Sequence, residues 1–277
     1  MKVFEILKRR AIKWDRKFHI SKRQQFVTIT FILSFGLMLT QLVPVELRYP
    51  MTGVISVVAF LLSAFAMREN LHGISWFTLL TLPTLFTAAI ALFYFLLPVR
   101  WLTRVPFVLL YAIGMYALLL TENIYHVASG RTIALLRAAH SVGFILTLVT
   151  YFLLIQTLFA FRFPFYINTV LTGLISFSLV FQSLWAMVLE DYGIARLWHL
   201  SIAICVVLSE LAWVFSFWPT QSTLKVLLLV TSFYGTVGMG QQYVDEKLYK
   251  KNVIEFFILC LIIFCVVLMG THWRGNY

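Results

Sequence analysis

Charge is scarce in this chain. Asp, Glu, Lys and Arg make up 12% of its 277 residues, about half the share a soluble domain carries. With 61% hydrophobic residues and a mean hydropathy of +0.90, there is too little polar surface to keep a globular domain in water. Acidic residues are the fewest, 11 against 22 basic, for a net charge of +11. That excess does not describe a nucleic-acid-binding face. Nine of the 22 Lys and Arg lie in the first 23 residues, and most others fall between apolar runs, which is the distribution of a membrane protein. No nucleic-acid partner is expected.

Cysteine is also sparse. Cys205, Cys260 and Cys265 all lie inside apolar runs, without metal-ligand spacing, and read as small hydrophobes. The chain lacks an HExxH helix, a GxSxG elbow, a P-loop, a dinucleotide fingerprint and paired aspartates. No metal and no cofactor are expected. The first apolar run begins at Phe26 without a small-residue cleavage site after it, so no cleavable signal peptide is expected. Long loops are missing as well. The longest, about residues 122–137, has room for one turn or a brief interfacial helix.

What the chain does have is long apolar runs. Nine candidate spans lie at about 26–43, 51–67, 74–97, 105–121, 138–161, 165–189, 198–217, 223–244 and 253–270, each near the length a helix needs to cross a bilayer. The second is short, which makes eight the reserve count. The expected fold is an all-α polytopic transmembrane bundle, one helical domain over 26–277, with Pro83 kinking the third span. Trp76, Trp101, Trp185, Trp198, Trp218 and Trp273 fall near predicted ends, where interfacial tryptophans belong.

Residues 1–25 form a basic segment in which Val3, Leu7, Ala11, Trp14 and Phe18 make one apolar stripe. It is read as an amphipathic interfacial helix on an anionic lipid surface. Counting Lys and Arg on alternate sides puts sixteen with the N-terminus and five opposite. The expected topology therefore has a cytoplasmic N-terminus and an outside C-terminus. The expected location is a plasma membrane of bacterial or archaeal type.

The loop residues recur in order. Pro44, Pro98, Pro164 and Pro219 mark one side, and Glu69, Glu122, Glu190 and Glu246 the other. This pattern fits four tandem helix hairpins after the first span. It also fits the spacing that bilayer thickness alone imposes on tightly looped helices.

Two groups of residues are candidates for function. Glu210 lies near the middle of the seventh span, where its neighbours at i±3 and i±4 are Val206, Val207, Trp213 and Val214. A carboxyl there must find a donor on another helix, face a wet cavity or stay protonated. Residues of matching depth that would reach it are Tyr111, Thr150, Tyr151, Thr231 and Tyr234. The second group clusters at the cytoplasmic face: Glu122, His126, Arg137, His140, Glu190, Arg196 and His199. Within it, His140 is placed to pair with Glu122 or Tyr125. Gly235, Gly238 and Gly240, followed by Gln241 and Gln242, read as close helix packing or as an unwound cavity lining.

Non-enzymatic transport or binding of a small solute or lipid leads the functional readings. The rivals are a membrane-embedded enzyme acting on lipid through Glu122, His126, Arg137 and His140, and a scaffold binding partner helices. A second copy of the chain or another membrane protein completes the expected partners.

Overall fold

The computed structural model describes residues 21–40, 44–68, 75–97, 101–128, 135–189 and 194–271. Among them the chain forms nine α-helices and no strand. These are α1 Lys22–Leu39, α2 Arg48–Met67, α3 Ser75–Leu96, α4 Trp101–Ala128, α5 Leu136–Ala160, α6 Phe165–Val188, α7 Ile194–Phe217, α8 Ser222–Val244 and α9 Lys250–Met269. The fold is the expected all-α bundle. Eight of the helices, α2 to α9, are long and apolar enough to cross a membrane.

The count of eight turns on a different helix from the one expected. The second span, α2, has 20 residues with mean hydropathy 2.0 and qualifies. The helix that falls outside the set is α1, because its 18 residues open with Lys22, Arg23, Gln24 and Gln25. The amphipathic helix expected over 1–25 lies outside the described residues except for 21–25. There Ser21 starts α1 with a capping box. Its hydroxyl accepts from the Gln24 amide at 3.4 Å, and the Gln24 side-chain oxygen accepts from the Ser21 amide at 3.0 Å.

Successive helices pack as α2–α3, α4–α5, α6–α7 and α8–α9, and the interior is closed by contacts of α5 with α3, α6 and α8. Between apolar helices in lipid the hydrophobic effect has little to offer, so close packing and internal hydrogen bonding hold the bundle. The buried face of α2 includes Thr52, Ile55, Ala59, Ser63 and Ala66, a mostly small-residue row at spacings of three, four, four and three that lets neighbours approach. Many hydroxyls bond to a carbonyl of the preceding turn. Thr84 donates to the Leu80 carbonyl at 2.7 Å and Thr157 to Leu153 at 2.8 Å, the local solution where no water is at hand. Pro83 sits within α3, which continues to Leu96; the Thr87 hydroxyl donates to the Pro83 carbonyl at 2.9 Å.

Centrality differs sharply between helices. α6 buries twelve residues, among them Gln182, Ser183 and Trp185, whereas α9 buries only Val267. Trp185 therefore corrects its expected role as an interfacial anchor, since it is 4% exposed. Trp76 and Trp198 are exposed near helix ends as expected. The glycines of α8 are packing residues. A Cβ on Gly238 would lie 2.8 Å from the Phe256 ring of α9, and one on Gly235 would lie 3.2 Å from Cys260 Sγ. α8 runs unbroken through both, so the unwound alternative does not hold.

Candidate functional site

α4 outruns the span expected for it. Its apolar run stops at Thr121, but the helix continues to Ala128. Tyr111, Met115, Leu118, Glu122 and Tyr125 then fall on one buried stripe at spacings of four, three, four and three. Glu122 is thus carried from an expected interfacial loop into the bundle, where it is 1% exposed.

The opposing helix supplies its partner. Gln182 of α6, 2% exposed, donates from Nε2 to Glu122 Oε1 at 3.2 Å. The other carboxyl oxygen, Glu122 Oε2, and the amide oxygen, Gln182 Oε1, are both buried without a hydrogen-bond partner. Tyr125, one turn below, donates its hydroxyl to the Ala139 carbonyl of α5 at 2.9 Å. Its ring lies 5.4 Å from that of His140, whose Nε2 is buried and unpartnered. Gly143 of α5 makes room for the tyrosine, since a Cβ there would overlap the Tyr125 hydroxyl. On the far side Gln241 of α8 donates to Ser183 Oγ at 2.8 Å. Tyr125, His140, Gly143, Gln182, Ser183 and Gln241 line a cavity of about 10 Å³, close to the space one buried water needs.

Of the cytoplasmic-face candidates, the fold brings Glu122 and His140 to this centre. Arg137 is exposed. Arg196 is exposed and stacks over the Tyr243 ring at 4.6 Å, while the exposed His199 shares its Nδ1 with the Ala195 carbonyl at 2.6 Å. Glu190 and the His126 side chain lie outside the described residues.

The Glu210 constellation does not assemble. Glu210 is exposed, on the same outward face of α7 as Val206, Val207, Trp213 and Val214. α7 buries Leu197, Ser201, Ile204, Leu208, Ala212 and Phe215 instead. At about 100° per residue, Glu210 points roughly 200° away from both Leu208 and Ala212. The residues expected to reach it are committed elsewhere. Tyr111 pairs with the Thr87 hydroxyl at 3.0 Å, and Tyr151 with Ser176 at 3.2 Å. Thr150 donates to the Leu146 carbonyl at 2.7 Å and Thr231 to Leu227 at 2.8 Å. Tyr234 packs edge-on against Phe256 at 5.3 Å. Among the described residues no group of His, Cys, Asp and Glu is placed to hold a metal.

Gln182 was not foreseen. Its signal was present all the same, an isolated amide within the run LVFQSLW, where a buried polar group needs a partner on another helix.

No curated protein and no solved structure matches the chain. One family model does, over residues 32–270 and so across most of the bundle. The chain belongs to that family, DUF5656, described as a protein of unknown function.

Proposed function

We propose that this chain is a non-enzymatic membrane protein that binds or moves a small solute or lipid, and that Glu122 carries a proton in that work. One observation supports the reading above the others. The Glu122–Gln182 pair holds one hydrogen bond and two orphaned acceptors, so it is short by one hydrogen. A proton on Glu122 Oε2 gives that oxygen the capacity to donate, and its partner residue Gln182 has an unfilled acceptor in Oε1. A neutral acid paired with an amide also avoids placing a bare carboxylate among apolar helices, which is costly by several kcal/mol. Tyr125 lies one turn from Glu122 on α4, and the His140 ring packs against it. A single water in the adjacent cavity would lie between Gln182, the partner of the carboxyl, and the unpartnered His140 Nε2.

The enzymatic rival fits less well. A lipid substrate needs space beside His140, and the cavity that His140 lines is about 10 Å³. Arg137, assigned to that rival site, is exposed. In this reading α1 also crosses, and nine crossings put the N-terminus in the cytoplasm, held to anionic lipid by the basic segment, and the C-terminus outside.

Purified protein in vesicles tests the proposal through Glu122→Gln. The amide keeps the size and the hydrogen-bonding capacity of the neutral acid but cannot exchange a proton. The variant is expected to fold with wild-type thermal stability and to lose proton flux. Flux equal to wild type in a folded Glu122→Gln protein contradicts the proposal.

A further inference from the structure

The opposite end of the bundle carries a second site. The α5–α6 and α7–α8 connections meet there around an open groove of about 600 Å³, lined by Arg162, Asn168, Ser216, Thr220, Ser222 and Lys225 among others. That volume falls in the range of small-ligand pockets. Two cations face it, and no described carboxylate lines it. α8 starts at Ser222 without a side-chain cap on its first amides, so the positive end of its dipole opens on the same space. Two buried oxygens in the lining lack partners, Asn168 Oδ1 and Thr220 Oγ1. Asn168 is 5% exposed. Its amide nitrogen is already spent on the Phe163 carbonyl at 3.0 Å, so the free oxygen can only accept.

Cations and helix amides call for an anion, while the orphaned Asn168 oxygen calls for a donor. A phosphate monoester dianion with no other hydroxyl supplies only the first. We infer that the groove binds a phosphate ester carrying a free hydroxyl, of glycerophosphate chemistry. The phosphate sits between Arg162, Lys225 and the start of α8, and the hydroxyl donates to Asn168. The same chemistry comes from two sources, a soluble glycerol phosphate and the headgroup of phosphatidylglycerol. The groove lies at the other end of the bundle from Glu122, and the two readings fail separately.

The test uses full-length protein in detergent, titrated with glycerol 3-phosphate, with phosphatidylglycerol and with phosphatidylcholine as the zwitterionic control. Wild type is expected to bind at least one of the first two in preference to phosphatidylcholine. Binding of phosphatidylglycerol alone assigns the lipid source, and binding of glycerol 3-phosphate assigns the soluble one. Arg162→Gln and Lys225→Gln should each weaken binding by on the order of tenfold, the scale of one charged hydrogen bond. Lys251→Gln, at the far end of the bundle, removes the same charge and should change nothing. Thr220→Val, nearly the same size, serves if a charge variant fails to fold, and should weaken binding less. Equal binding of all three probes overturns the inference. So does wild-type affinity in the folded groove variants, or a loss in Lys251→Gln as large as in Lys225→Gln.

Discussion

At the scale of single residues, two glutamates exchange roles between sequence and structure. Glu210 sits in the middle of an unbroken apolar run, and Glu122 at the edge of one, so run position alone singles out Glu210. Helical phase reverses the order. The buried positions of α7 pass on either side of Glu210, whereas those of α4 pass through Glu122. The phase of α4 is legible in Tyr111, Met115 and Leu118, which continue at helical spacing to Glu122. What no local pattern could supply was its pairing with Gln182, sixty residues away and on another helix. Replacing Glu122 by Leu should destabilise the protein by about 1–3 kcal/mol, because the Gln182 amide is then buried without an acceptor. Thermal unfolding in detergent measures it, and a wild-type melting temperature would show that the pair bears no load. Gly143→Ala should also destabilise, by roughly 1–3 kcal/mol, since the added methyl meets a tyrosine hydroxyl already fixed on Ala139. A wild-type melting temperature for that variant would mean Tyr125 is free to move.

At the scale of the helix, existence was far easier to foresee than boundary or phase. All nine apolar runs became helices, because a twenty-residue apolar segment has few other ways to satisfy its backbone in lipid. α4 escaped its predicted end because backbone hydrogen bonding continues through Glu122 and Asn123 once tertiary contacts make room for them. α7 shows what remains on the outside: an exposed face of Val206, Val207, Glu210, Trp213 and Val214, on which Trp213 meets the Phe165 ring at 5.7 Å. Glu210→Leu should therefore leave both melting temperature and proton flux unchanged. A clear loss of stability would place the Glu210 side chain against a partner within the fold. The α8–α9 contact rests on glycine, and Gly238→Ala should weaken it by pressing on Phe256, readable as faster proteolysis after Val244.

At the scale of the whole molecule, polar groups have been drawn to the two ends of an apolar bundle. Glu122, Gln182, His140 and Gln241 gather at one end, and Arg162, Asn168 and Lys225 at the other. Reporters test the sidedness that the basic residues imply. A fusion after Lys251 should be active only in the cytoplasm and one after Tyr277 only outside. Activity of both on one side would remove the crossing by α9.

The protonation of Glu122 lies beneath the proposed function, and infrared spectroscopy of the protein in lipid reads it directly. Wild type at neutral pH should show a protonated-carboxyl stretching band that shifts in heavy water and disappears in Glu122→Gln. A folded wild type without that band, or a band that persists in the glutamine variant, would contradict a neutral acid at this site.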